Sequence, residues 1–119
     1  MSEQEIIEGN KLIVEFIGYK FIEDGHQYWR LSDKHLLLEN ELKYHSSWDW
    51  LMPVVLKINT MDNFDYSVKI FTMDCQIENS KGEIIVRCEC KYNPDELINS
   101  VWEAVVEFIK WYNSWKEKQ

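Results

Sequence analysis

The sequence predicts a single α+β domain, with a mixed or mainly antiparallel sheet packed against about three helices in an α-β-α sandwich-like arrangement. Three observations lead to this prediction. The chain of 119 residues is near the most common size of one domain, which we take to span residues 1–119. A hydrophobic content of 45% and an aromatic content of 14% are sufficient for a globular core. Helical and alternating apolar patterns follow each other in the order α–β–(β)–α–β–β–β–α.

The first helix is predicted over Asn10–Ile17, where apolar residues recur near helical spacing. Gly18 supplies the stop, because glycine adopts at little cost the left-handed conformation that ends many helices. Gly9 interrupts the pattern, so we expect residues 1–9 to fray.

The next segment carries weak signals. Asp24-Gly25 marks a turn, and Gln27–Leu31 alternates as a strand does. The run Leu36–Leu38 fits either a buried strand or a short helical turn, because brief apolar runs do not distinguish the two.

A second helix is predicted from the stretch YHSSWDWLMPVVLKI, residues 44–58. Ser46 and Asp49 have the spacing of a capping pair that satisfies free N–H groups at a helix start. Four residues at i, i+3, i+4 and i+7 then form one apolar stripe: Leu51, Val54, Val55 and Ile58.

Pro53 conflicts with this helix, because proline lacks an N–H and is comfortable only in the first turn. Either the regular helix begins nearer Asp49, or residues 48–52 form a tighter or kinked lead-in. Both readings point the side chains of Trp48 and Trp50 in different directions. One of the two indoles can then pack under the sheet while the other stays half exposed.

Three strands are predicted after a turn at residues 61–65. They are Tyr66–Phe71, Cys75–Glu78 and Glu83–Tyr92, with a hairpin turn at residues 80–82 between the last two. One face of the last strand carries Ile84, Val86, Cys88, Cys90 and Tyr92.

The last helix is predicted to start at Asn93-Pro94 and to run to about Trp115. Its apolar positions cover an arc of roughly 220°, widened by Val106 and Trp111 and well beyond a single stripe. Because Trp and Tyr are prominent in binding hot spots, we expect this helix to contact more than the sheet. The candidate interface residues are Trp111, Trp115, Val106 and Trp50.

The charge excludes some partners. The chain has 21 acidic and 13 basic residues and a net charge of −8, which argues against nucleic acid and against an anionic membrane surface. Half of the acidic excess lies in residues 1–25, and elsewhere the signs are interspersed. Ordinary solubility therefore explains the charge better than an acidic decoy that imitates nucleic acid.

The sequence predicts a cytoplasmic protein. Its start, MSEQEIIEGNK, has no basic segment leading into an apolar one, so no signal peptide is expected. No apolar run approaches the roughly 18 residues of a membrane span. Three cysteines, an odd number, fit a reducing compartment better than a secreted disulfide framework.

The cysteines are interpreted as core residues. Cys88 and Cys90 lie at i, i+2 in a strand, whereas zinc ligands usually lie on a turn two to four residues apart. Free cysteine is among the most buried residue types. We therefore predict no metal site and no cofactor.

The histidines leave an alternative open. His26, His35 and His45 do not belong to a nucleophile or metal motif, so no catalytic residue is predicted. The alternative is a small enzyme or ligand-binding domain in which His45 or His26 lines a pocket with nearby carboxylates.

Three stretches carry a family resemblance: NKLIVEFIG at 10–18, SSWDWLMPVVLKI at 46–58 and AVVEFIKWYN at 104–113. They resemble small proteins of phages and integrated mobile elements from gut anaerobes, and are similar to the phage ABA sandwich family. The resemblance spans about residues 10–113, and the Trp-Asp-Trp-Leu-Met-Pro run is its most specific part. Leu56 departs from it, since a charged residue, commonly Glu, is expected there.

The resemblance implies an α–β–α arrangement and a bacterial host cell, and it brings no activity and no catalytic residues. Together with the wide apolar arc of the last helix, it predicts a non-enzymatic accessory protein of phage type. Such a protein would act by binding another protein, with a homo-oligomer as a further expectation.

Overall fold

The computed structural model describes residues 2–22, 27–30, 35–89 and 96–117. These residues form an α+β fold of three helices and two three-stranded antiparallel sheets, so the predicted fold class is confirmed. The helices are α1 (Glu3–Phe16), α2 (Trp48–Phe64) and α3 (Leu97–Glu117). The strands are β1 (Lys20–Ile22), β2 (Gln27–Arg30), β3 (His35–Leu38), β4 (Tyr66–Ile70), β5 (Asp74–Asn79) and β6 (Ile84–Glu89).

Helix α1 begins at Glu3 rather than at Asn10. The Ser2 hydroxyl oxygen accepts a hydrogen bond from the Glu5 N–H at 3.1 Å, which satisfies one of the free donors of the first turn. The expectation that residues 1–9 fray was therefore wrong from Glu3 onward, because a side-chain cap stabilises a start that the apolar pattern does not mark.

The end of α1 is the one that Gly18 predicts. Gly18 has a φ of 107°, its N–H donates to the Glu15 carbonyl at 3.1 Å, and the Tyr19 N–H donates to the Val14 carbonyl at 3.2 Å. This pair of hydrogen bonds is the Schellman motif, which satisfies carbonyls left free at a helix C-terminus.

The first sheet has the strand order β1-β2-β3. The predicted strand at residue 27 is confirmed as β2, and the ambiguous Leu36–Leu38 run lies in a strand, β3. Tyr28 and Leu37 face each other across β2 and β3 and are buried on the inner side. The predicted Asp24-Gly25 turn lies outside the described residues.

Helix α2 starts at Trp48, with Ser47 as its N-cap residue and no side-chain hydrogen bond at the cap. The predicted capping pair of Ser46 and Asp49 was therefore wrong. Pro53 lies inside the helix on its exposed side. The missing N–H of Pro53 would have bonded to the Asp49 carbonyl, which lies in the solvent-exposed first turn and so has water as an alternative donor.

The second sheet has the order β4-β5-β6, and its strands match the three predicted ones within a few residues. The hairpin turn at residues 80–82 is confirmed, with Gly82 at a φ of 82°. A bulge between β5 and β6 leaves Ile85 as an extra residue, since Ile77 pairs with Val86 but Glu78 pairs with Ile84.

The bulge corrects the predicted alternation of β6. Ile84 was placed on the inward face, but it is 54% exposed, while Ile85 and Val86 both pack against the core. The predicted continuation of this strand through Cys90 and Tyr92 lies outside the described residues.

The outer edge of β4 is blocked by α2. The Asn59 side-chain oxygen accepts a hydrogen bond at 2.7 Å from the Val68 N–H. A side chain from the helix thus takes the place of the next strand at this position.

Helix α3 packs on β5 and β6, and α1 packs on α3. The predicted helix start at Asn93-Pro94 lies outside the described residues. Within the described ranges, no helix is long and apolar enough to cross a membrane. The side chains that fill the centre of the core include Ile13, Leu51, Ile58, Ile77, Phe108 and Ile109.

Candidate functional site

The C-terminal end of α3 carries a set of aromatic side chains that we call the aromatic surface. It consists of Trp111, Tyr112 and Trp115 of α3 together with Tyr66 of β4, whose ring contacts Trp111 and Tyr112. Trp111 and Trp115 are 37% and 40% exposed, although α3 buries its other large apolar side chains from residue 101 onward. Their rings stack at an interplanar angle of 14° with centroids 6.2 Å apart. One turn of helix therefore presents two indoles side by side to solvent.

Buried rings hold the two indoles in place. Tyr66 of β4 meets Trp111 edge-on at 6.0 Å and is itself 4% exposed. Tyr112 is 5% exposed and stacks on Phe108 at 5.8 Å. Because these supporting rings belong to the core, the exposed indoles lose little further conformational freedom when a partner binds.

The last residues of α2, from Met61 onward, are not helical and form a loop with an unusual backbone. Asp62, Asn63 and Phe64 have φ values of 50°, 61° and 62°. Asp and Asn tolerate this left-handed region, but a bulky residue such as Phe does so rarely, at a cost of roughly 1–3 kcal/mol. Phe64 gains no burial in return, since it is 71% exposed. Strain of this kind is typical of functional segments.

A hydrogen bond fixes the loop to α3. The Tyr112 hydroxyl donates to Asp62 Oδ2 at 2.8 Å. Burial and this carboxylate together raise the pKa of Tyr112 to about 12, so the phenol keeps its donor proton at neutral pH. The strained loop and the indole pair are thereby held at one end of the molecule.

A cleft of about 690 Å³ lies between the loop, the β5–β6 hairpin and α3. Trp111, Tyr112 and Trp115 line one side of it. Asp62 and Asp65 give it two negative charges, while Lys81 and Lys116 give it two positive ones. Rings with charges of both signs suit the side chains of a protein partner, whose own surface is mixed in the same way.

The four predicted interface candidates do not lie together. Trp111 and Trp115 belong to the aromatic surface. Val106 is only 4% exposed and faces α1, so helix packing explains why the apolar arc of α3 widens there. Trp50 is half-buried and packs edge-on against Tyr44 at 5.2 Å, as part of the support of α2.

Trp102, near the start of α3, is held in a buried polar network. Its indole Nε1–H donates to Asn10 Oδ1 at 2.9 Å, and the Asn10 amide nitrogen donates to His45 Nδ1 at 3.0 Å and to the Leu42 carbonyl at 3.3 Å. An indole N–H can only donate, so it fixes which way the Asn10 amide points. The amide then fixes His45 Nδ1 as an acceptor, with its proton on Nε2.

Gly9 makes room for this network. A Cβ at Gly9 would lie 2.3 Å from the Trp102 ring, closer than atoms can approach. Gly9 and Asn10, both on α1, were missed as structural residues by the sequence analysis. Their signal was a glycine in the middle of a helical pattern beside a polar residue, which often marks close packing.

The histidines give no support to the pocket alternative. His45 has its pKa lowered by burial and Nδ1 engaged by Asn10. His35 Nδ1 is hydrogen-bonded to the Tyr19 hydroxyl. Neither lines the cleft on the second sheet, the cleft between α1 and α3, or the cleft beside Trp111 and Trp115. His26 lies outside the described residues.

The cysteines behave as the strand pattern predicts where they are described. Cys75 is fully buried and faces Cys88 across β5 and β6. Burial, followed by the charges of Glu103 and Glu107, raises the pKa of Cys88 to about 11, which makes its thiol a poor nucleophile. In the described part of the chain, no three His, Cys, Asp or Glu side chains are grouped to hold a metal ion. Cys90 lies outside it.

Comparison of the chain with protein-family models, with curated proteins and with solved structures gives no match. The resemblance to the phage ABA sandwich family therefore rests on the three sequence stretches alone.

Proposed function

We propose that this protein is a non-enzymatic accessory protein that acts by binding another protein, with the aromatic surface as its contact. The observation that carries the proposal is the exposed, stacked pair of Trp111 and Trp115 on a rigid support. Trp contributes more binding free energy per residue than most side chains, provided that it is buried in the complex. Exposed indoles held in one orientation supply that contribution without a large ordering cost.

The strained loop adds a second line of support. Phe64 lies two residues before Tyr66 and is 71% exposed, in a backbone conformation that folding alone does not favour. The mixed charges of the adjacent cleft would form the polar rim that surrounds the apolar centre of most interfaces.

The biological setting is part of the same proposal. The sequence resemblance places the protein among phage and mobile-element proteins, which would act in the cytoplasm of a bacterial host. The partner is then either a second copy of the chain or a protein of that host. The enzyme alternative is not proposed, because the Nδ1 atoms of His45 and His35 are engaged by Asn10 and by the Tyr19 hydroxyl.

Light scattering after size exclusion tests self-association. We expect any concentration-dependent dimer to be lost in Trp111→Ala and Trp115→Ala and kept in Trp48→Ala, the matched control. Trp48 is 39% exposed but belongs to α2. A wild type that stays monomeric at all concentrations rules out the homo-oligomer.

Capture from a bacterial host lysate tests the other partner. Wild type and Trp48→Ala should retain a protein that Trp111→Ala and Trp115→Ala lose. If all four chains capture the same proteins with equal yield, the aromatic surface is not the contact.

A further inference from the structure

A second cleft, of about 560 Å³, lies on the opposite side of α3, where α1 packs against it. We call it the acidic groove. Its base is apolar: Leu12 and Cys88 are partly exposed there, whereas Gly9, Trp102 and Val106 are buried where α1 meets α3. Its rims carry five glutamates, which are Glu5, Glu8, Glu15, Glu103 and Glu107.

Among the described residues that line the groove, two are basic, Lys11 and Lys110, and both are engaged. Lys11 Nζ pairs with Glu39 at 2.6 Å and also lies 5.9 Å from the Phe21 ring centroid. Lys110 pairs with Glu107 at 3.3 Å. Among the described ion pairs, none neutralises Glu5, Glu15 or Glu103.

The negative charge acts inside the groove as well as on its rim. Burial and, after it, the carboxylates of Glu103 and Glu107 raise the pKa of the Cys88 thiol at the base. A ligand seated there would therefore meet apolar atoms below and, on both sides, carboxylates that include Glu5, Glu15 and Glu103, which make no ion pair with a described residue. In such a site a cation of the ligand is attracted and an anion repelled.

We propose that the acidic groove binds a cationic amphipathic helix of a partner protein. The apolar stripe of that helix would lie on the base of the groove, and its Lys or Arg side chains would reach the glutamates of α1 and α3. From Glu5 to Glu15, α1 extends about 15 Å, which matches roughly three turns of an added helix.

The negative charge of the groove favours a cationic helix over the other possible ligands. Nucleic acid and anionic lipid carry the same sign as the rims, so both are repelled. A second copy of this chain has a net charge of −8 and is disfavoured at this place for the same reason. Binding in the groove does not depend on the aromatic surface, which lies on the opposite side of α3.

The probes are three synthetic peptides of about 18 residues, long enough for five helical turns. The first places leucine at i, i+3, i+4 and i+7 and lysine elsewhere. The second replaces every lysine with glutamate, and the third has the composition of the first in a scrambled order without a stripe. Binding is measured by fluorescence anisotropy and by calorimetry at several salt concentrations.

The matched variants are Glu15→Lys/Glu103→Lys on the rims and Glu3→Lys/Glu117→Lys on the same two helices outside the groove. Both change the net charge equally. We call Glu15→Lys/Glu103→Lys the rim reversal. If circular dichroism shows that the rim reversal does not fold, the neutral variant Glu15→Gln/Glu103→Gln takes its place in the binding measurements.

We expect wild type to bind the first peptide, with an affinity that falls as salt rises, and to bind the other two at least roughly tenfold more weakly. The rim reversal should lose about tenfold or more in affinity, and the control pair clearly less. Trp111→Ala should bind like wild type, which separates this proposal from the function proposed above.

Three outcomes would overturn the proposal. They are no binding of the first peptide at millimolar concentration, equal binding of the scrambled peptide, and equal weakening by the rim and control variants. The last two would show attraction by overall charge rather than by a groove.

Discussion

The two ends of helix α3 use the same residue type in opposite ways. Near its start, Trp102 is 3% exposed, with its N–H bonded to a buried asparagine and its ring against a glycine of α1. Near its end, Trp111 and Trp115 stack on each other and remain more than a third exposed. What differs is the neighbour: α1 covers the first indole, whereas no element of the described structure covers the outer faces of the other two. In a chain rich in tryptophan, the buried indoles therefore have to be distinguished from the exposed ones before a binding role is assigned to any of them.

The largest effect that tests this contrast is on stability. Trp102→Ala should lower the free energy of unfolding by about 3–5 kcal/mol, because it leaves a cavity and removes the partner of Asn10 Oδ1. Trp115→Ala should change the free energy by less than about 1 kcal/mol, since the ring is already partly in water. Urea denaturation of both variants measures the difference. Comparable losses would show that the two ends of α3 do not differ in this way.

A smaller effect is expected at Gly9. Gly→Ala in a helix normally stabilises by about 0.5–1 kcal/mol, but here the added methyl meets the Trp102 ring. We expect Gly9→Ala to destabilise by about 1–3 kcal/mol. In a Trp102→Phe background, which removes the outer indole ring, the penalty should shrink or change sign. A Gly9→Ala chain more stable than wild type would mean that α1 and α3 are not in close contact.

The smallest effect concerns pH and His45. Burial lowers the pKa of His45 below its ordinary value of 6.5, so the unfolded chain takes up a proton at a higher pH than the folded chain does. The stabilisation from this network should be complete above pH 6.5 and should decline as the pH falls below that value. The decline should level off below the pKa of His45 in the folded chain.

Comparison with His45→Gln isolates this contribution, because glutamine can accept from Asn10 without titrating. Urea midpoints between about pH 5 and pH 8 should show a steeper acid decline in wild type than in His45→Gln. Parallel curves would show that His45 is not held neutral by the network.

The periodicity of the sequence predicted much of helix α3, but not which of its apolar residues pack against other elements and which remain exposed. The apolar arc of roughly 220° follows from the sequence, and the structure accounts for it by contacts with the second sheet, with α1 and with solvent. Which flank α1 would cover depends on where α1 docks, and one amphipathic pattern does not contain that information. Val106, one of the interface candidates, is buried against α1 for this reason, whereas Trp111 and Trp115 remain more than a third exposed.

Other departures have local physical causes. The β6 bulge moves Ile84 outward and Ile85 inward, and a single extra residue leaves no mark on an alternating pattern. The helix α2 tolerates Pro53 because the lost hydrogen bond falls on its exposed side near the start. The left-handed run at residues 62–64 was read only as a turn, because Asp62 and Asn63 tolerate positive φ whereas a bulky residue such as Phe64 gives no signal of it.

The hydrogen bond from the Val68 backbone N–H to the Asn59 side chain affects whether further copies of the chain can add to the edge of the second sheet. An open strand edge is a template on which further copies can add in register, the first step toward fibres. With the Val68 N–H already satisfied, β4 offers a broken ladder to an incoming strand. Replacing Asn59 with alanine would restore a continuous template, so the cost of that substitution would appear as aggregation at high concentration more than as a lower melting temperature.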